Sequence, residues 1–256
     1  MTQQENTIKE LPYGVSDFLT VANENLYFVD KSMYIPKLEK EGRNLFFIRP
    51  RRFGKSIFVS MLHAYYDCKT TPEQFQKWFG DLWIGQHPTP LQGKFMVLHL
   101  DFSQVGGTIE NMEANFDVYC GAKFDYFVDY YNDVYSEDFI QKVHNAKDAN
   151  TKLTLINLET DRQKLSLYLI IDEYDNFTNT ILNEKGEEVY HAITHANGFY
   201  RDVFKKFKGN FARIFMTGVS PVTLDDVTSG FNIGWHISTK KAFNQMLGFS
   251  EENVRS

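Results

Sequence analysis

The chain has 256 residues, room for one large α/β domain and too few for two comfortable ones. Its 43% hydrophobic and 23% charged residues can bury a real core, which 23 Phe and 14 Tyr make rich in rings. A net charge of −6 argues against a surface built to coat nucleic acid, and two isolated cysteines, Cys68 and Cys120, exclude a disulfide framework or paired-cysteine metal site.

The first twelve residues are polar and read as a flexible arm without the apolar core of a signal peptide. No apolar run approaches the ~20 residues that span a bilayer, so a cytoplasmic protein is expected. From residue 13 onward the pattern predicts one domain running to residue 256. Pro12, Gly14 and Pro36 break the next stretch, and a helix is expected over 32–40. Residues 44–48, NLFFI, form the compact apolar run of a buried parallel strand. The loop RPRRFGKS follows, then an amphipathic helix with Ile57, Phe58, Met61, Leu62 and Tyr65 on one face.

A second strand is predicted in KFMVLHLDFS, after a loop with Pro88 and Pro90. Met112, Phe116, Tyr119, Phe124, Phe127 and Tyr131 recur at helical spacing, so 109–143 reads as one bent helix or two. A third strand, 165–171, runs straight into Asp172 and Glu173. A helical stretch leads to a fourth strand, FARIFMTG, and a short fifth is expected near the end. In HAITH, His191 and His195 share a helical face but lack a visible third ligand, so a solvated face is expected rather than a metal site. Strands alternating with helices predict an α/β, three-layer fold with a parallel sheet of about five strands.

The chemistry concentrates where strands end. Gly54-Lys55-Ser56 opens a helix directly after a strand and loop, where unpartnered backbone N–H groups and the helix dipole favour an anion such as a triphosphate. Lys55 is the candidate contact for the β and γ phosphates, and Ser56 offers its hydroxyl to Mg²⁺. The candidate binding loop comprises Arg49, Arg51, Arg52, Phe53, Gly54, Lys55, Ser56 and Ile57. Arg49 stands where the G-x-x-x-x-G-K-[ST] pattern has its first glycine, so it must adopt an ordinary backbone conformation or the loop starts differently. Together with Arg51 and Arg52 it is a candidate source of charge at the phosphate mouth.

Asp172 and Glu173 end a buried strand, in the crevice where parallel sheets bind ligands. Asp172 is the candidate Mg²⁺ carboxylate, held directly or through water. Glu173 is the candidate general base, a role that needs a carboxylate within hydrogen-bond reach of the attacking water. Thr217, at the end of the fourth strand, is expected beside the γ-phosphate or that water.

The segments YFVDKSMYIPKLE, FFIRPRRFGKSIFVSML, LIIDEYDNF, GFYRDVFK and IFMTGVSPVTLDDVTSGFNI resemble the AAA-ATPase-like family, whose AAA-type ATPase domain is often fused to a PD-(D/E)XK nuclease-like domain. The resemblance implies a P-loop NTPase sheet of AAA/ASCE type with strand order 5-1-4-3-2, and ATP rather than GTP as nucleotide. It assigns Lys55 and Ser56 to Walker A, Asp172 and Glu173 to Walker B, and Thr217 to sensor 1. Arg49 belongs to the family's own loop pattern. Asp30 and Lys31 match its VDK motif, with a place beside the nucleotide expected, and Arg201 is a candidate for the phosphates of this or a neighbouring subunit. The chain stops where an AAA protein begins its helical lid. No Glu-x-Lys triplet occurs, so nuclease chemistry is not expected.

Two functions follow: an Mg²⁺-dependent ATPase, or a non-catalytic nucleotide switch that regulates a partner such as a nuclease. A homo-oligomer is the other expected association. Direct nucleic-acid binding is disfavoured, because phosphates of a nucleotide account for the basic loop.

Overall fold

The computed structural model describes residues 9–176, 204, 207, 211–220, 235–250 and 253. Among them five strands form one parallel sheet: β1 (Asn44–Ile48), β2 (Met96–Asp101), β3 (Leu167–Asp172), β4 (Arg213–Gly218) and β5 (Trp235–His236). Their order is β2-β3-β4-β1-β5, which read from the other edge is β5-β1-β4-β3-β2. Every residue of β3 is buried, as expected of a central parallel strand covered on both faces.

Because side chains alternate along a strand, the sheet divides its apolar residues between two cores. Phe46, Leu169, Ile171, Ile214 and Met216 face one core. Leu45, Phe47, Tyr168, Ile170 and Phe215 face the other. The first core is covered by α6 (Ile109–Tyr130), α7 (Glu137–His144) and α8 (Ala149–Gln163). The second is covered by α1 (Phe18–Asn23), α2 (Ile35–Glu41), α3 (Lys55–Tyr66), α4 (Pro72–Phe79) and α5 (Trp83–Gln86). Among the described residues no helix is long and apolar enough to cross a membrane.

The expected helix over 32–40 is a 3₁₀ turn, Ser32–Tyr34, running into α2; Pro36 is tolerated in the first helical turn, where its missing N–H has no partner to lose. The periodic stretch 109–143 is two helices, with Ser136 capping the second by accepting the Phe139 N–H. Helices α1, α4, α5 and α8 go beyond the sequence expectation. Of these, α4 carries a readable signal, the capping box Thr71-Pro72-Glu73-Gln74, in which side chains and backbone N–H groups bond reciprocally. Within the expected arm, Glu10 is tied down by the Tyr27 N–H at 2.7 Å.

Strand β2 lies at the sheet edge, and α6 with the residue after it blunts that edge. The Val97 N–H donates to the Tyr131 hydroxyl and the Asp101 N–H to the Tyr119 hydroxyl, each at 2.7 Å. These bonds occupy donors that would otherwise recruit another strand.

Candidate functional site

The turn between β1 and α3 solves its geometry without glycine at its first position. Arg49 is not left-handed; the positive φ values fall at Arg52 (68°) and Gly54 (82°). A Cβ on Gly54 would meet nothing within 4 Å, so glycine is favoured there by backbone conformation and not by space. Arg49 instead anchors the loop. Its guanidinium donates to the carbonyls of Ile48 (2.9 Å), Ser238 (3.0 Å) and Phe243 (3.2 Å) and lies 4.3 Å from the Phe47 ring centre. The Ile48 N–H donates to Ser238 Oγ at 2.7 Å, so the end of β1 is bound to segment 235–250 from two sides. Of the three arginines, Arg51 and Arg52 are exposed on the turn, whereas Arg49 has its donors taken by carbonyls. Phe53 is exposed and its ring lies beside Gly248. Ile57 packs, partly buried, against the α3-side core.

Three strand ends then meet. Lys55, the first residue of α3, is buried; its ammonium donates to the Pro50 carbonyl (3.2 Å) and lies 3.4 Å from Glu173 Oε1. Ser56 Oγ donates to Asp172 Oδ2 at 2.7 Å, and the Glu173 N–H donates to Asp172 Oδ1 at 2.9 Å. Thr217 is 1% exposed, and its hydroxyl has no hydrogen-bond partner among the described residues. Glu173 takes the left-handed conformation (φ 51°), which costs a non-glycine residue roughly 1 kcal/mol or more and is retained where surroundings enforce it.

Burial pushes the Asp172 carboxyl up to about 6; the negative charges of Asp101 and Glu173 add to this, against the hydrogen bond from Ser56. Asp101 sits in register with Asp172 on the neighbouring strand. It is a site residue the sequence reading missed, although LHLD presents the same signal as LIID, an apolar strand delivering a carboxylate at its end. From Ser56 and Asp172 a cleft of about 510 Å³ continues between α3 and α6, past Asp101, His63 and His99. Burial lowers the pKa of His99 to about 3, so its ring is neutral at physiological pH, and its Nε2 has no partner among the described residues.

The VDK residues hold the fold's outer segments. Asp30 accepts the N–H groups of Ser32 and Trp83, both at 2.7 Å, which fixes the start of α5. Lys31 donates to Asn253 Oδ1 at 3.2 Å. Arg201, His191 and His195 lie outside the described residues. Among the described residues no group of three or more His, Cys, Asp or Glu is arranged to hold a metal ion by itself.

A family model described as Predicted AAA-ATPase matches residues 12–228. A shorter similarity, 40% identity over 55 residues, links the chain to an uncharacterised protein of the vnfD 5′ region of Azotobacter chroococcum mcd 1. That match covers 21% of this chain and 11% of the other protein.

Proposed function

Because the chain belongs to the predicted AAA-ATPase family, we propose that it binds ATP with Mg²⁺ at the turn between β1 and α3 and hydrolyses it in the cytoplasm. The observation that carries this reading is the meeting of Ser56 with Asp172 at 2.7 Å beside Lys55 and Glu173 at 3.4 Å. Strand β4 separates the strands that bring these pairs together, and the order β5-β1-β4-β3-β2 supports an AAA-type sheet.

The residues fit the ligands. Lys55 is a buried cation with one carboxylate and one carbonyl as partners, placed at a helix N-terminus where anions are favoured. Asp172 carries a raised pKa and has no cation within ion-pair distance among the described residues, as suits a carboxylate meant for a metal. The enclosed Thr217 hydroxyl lacks a partner that a phosphate oxygen or water can supply. Ser56 and Asp172 would hold Mg²⁺, which when bound would neutralise charge on the terminal phosphates.

The chain's own groups do the rest. The backbone N–H groups that open α3 cradle the phosphates, and Lys55 transfers its charge from Glu173 to the γ-phosphate. Glu173, freed of that pairing, accepts a proton from the attacking water as the water oxygen bonds to the γ-phosphorus, while the bond to the β–γ bridging oxygen breaks and ADP leaves. The Thr217 hydroxyl orients that water against the phosphorus. Calorimetric titration of Mg²⁺-ATP should give saturable binding that Lys55→Ala removes. Binding that survives in Lys55→Ala would place the nucleotide elsewhere.

The Lys55–Glu173 contact also favours a second reading, a nucleotide switch for a partner protein, since lysine and base neutralise each other in this state. Tight Mg²⁺-ATP binding with no phosphate release above background selects that reading over hydrolysis.

A further inference from the structure

The turn after β3 is stapled to the turn after β4. The Tyr174 N–H donates to the Thr217 carbonyl (3.1 Å), and the Tyr174 hydroxyl donates to the Ser220 carbonyl (2.6 Å). Asp175 accepts the Val219 N–H at both oxygens (3.1 Å each) and the Ser220 N–H at Oδ2 (2.5 Å). Both side chains are fully buried. The fit is close enough that a Cβ on Gly218 would stand 2.4 Å from Asp175 Oδ1 and 2.5 Å from Tyr174 Cε1.

A buried carboxylate on two successive backbone N–H groups is a charge-assisted grip, stronger than a pair of neutral hydrogen bonds. It closes on Val219 and Ser220, two and three residues beyond Thr217, and its own chain leads out of Glu173. The left-handed Glu173 and the enclosed Thr217 therefore stand on opposite jaws of one clamp. Neither jaw can shift without straining the hydrogen bonds of the other.

We infer that Tyr174 and Asp175 are positioning residues that hold the base Glu173 and the hydroxyl of Thr217 as one unit. They govern the rate of hydrolysis more than the affinity for nucleotide. The kinetic part rests on the hydrolysis reading above; the coupling of the two turns does not.

The test is Asp175→Asn in the full chain, with Thr217→Ala alone and combined with it. In Asp175→Asn, kcat for ATP should fall about tenfold or more while the Mg²⁺-ATP Kd stays within about threefold, since small misplacements of reacting groups cost rate first. In the double variant the two losses should not multiply, because both act on one unit. Losses that multiply, or a Kd that weakens as much as kcat falls, overturn the inference. If the natural chain binds Mg²⁺-ATP but does not turn it over, the hydrolysis reading has failed, and amide hydrogen exchange decides the coupling. Asp175→Asn should then speed exchange at the Tyr174 N–H as well as at Val219 and Ser220. Faster exchange at Val219 and Ser220 alone overturns it. Should Asp175→Asn not fold, Tyr174→Phe removes only the hydroxyl and is judged by the same measurements.

Discussion

Two aspartates at opposite ends of α3 make an instructive pair. Asp67 caps its C-terminus and Asp172 meets Ser56 at its N-terminus, and each is 3% exposed. The helix dipole favours an anion at the N-terminus and disfavours one at the C-terminus. The ionisation runs the other way. Burial pushes the Asp67 carboxyl up, but the His63 ring 3.6 Å away and hydrogen bonds from the Lys69 N–H and Tyr131 together hold it below the usual range. Tyr130 adds another at 3.0 Å. Asp172 has two donors, Ser56 and the Glu173 N–H, and two neighbouring carboxylates, so burial prevails and its pKa rises to about 6. At equal burial, the anion of Asp67 is fully satisfied and that of Asp172 is not.

The largest expected effect separates chemistry from scaffold. Glu173→Gln should lower kcat for ATP at least ~100-fold while Mg²⁺-ATP binding persists in calorimetry. Asp67→Asn should leave turnover per folded molecule unchanged. Equal losses of turnover in the two would erase the distinction.

Next come the aspartates themselves, read by thermal unfolding without nucleotide. Asp67→Ala removes the acceptor of two tyrosine hydroxyls and a backbone N–H, an expected loss of about 3 kcal/mol and a Tm lower by roughly 6–12 °C. Asp172→Asn removes a buried, unneutralised carboxylate and should raise Tm by about 2–6 °C at pH 7.5, while abolishing the Mg²⁺ dependence of ATP binding. A lower Tm for Asp172→Asn would show that its anion is as well satisfied as that of Asp67.

The pH dependence follows with opposite signs. The folded pKa of Asp172, about 6, lies above its ordinary value of 3.8, so the fold favours its protonated form. That contribution is complete below 3.8 and is lost as pH rises through 6. The gain in Tm from Asp172→Asn should therefore shrink as the pH is lowered from 7.5 and vanish near pH 4. Asp67, with a depressed pKa, contributes stability above its ordinary range and loses it on acidification. A gain from Asp172→Asn that is flat across this range would contradict the assignment.

Smaller effects test the surroundings. Arg49→Lys loses the forked grip on three carbonyls and should weaken Mg²⁺-ATP binding about threefold to tenfold by loosening the loop. Thr71→Ala, at the cap of α4, should cost about 1 kcal/mol in thermal unfolding and leave nucleotide affinity untouched.

By itself the sequence determined the strands and what stands at their ends. Asn44–Ile48 is legible because an apolar run between polar residues, too short for a helix, is a buried strand. The positions of Lys55 and Ser56 are legible because Gly-Lys-Ser follows a strand and loop and opens an apolar-periodic helix, and those of Asp172, Glu173 and Thr217 because each stands where an apolar strand ends. Helix α8 is not, since Asn, Thr and Lys at its buried positions blur the apolar period.

Only the tertiary structure decided what the polar groups do with one another. Arg49 reads as a phosphate ligand until Ser238 and Phe243, nearly two hundred residues away, supply its acceptors. Tyr119 and Tyr131 read as helix-face rings until their hydroxyls close the edge of β2. Asp67 and Asp172 are the same residue in sequence and become opposites only when the fold assigns their donors. Periodicity is local and survives in the chain order, whereas hydrogen-bond satisfaction and desolvation depend on partners that only folding brings near.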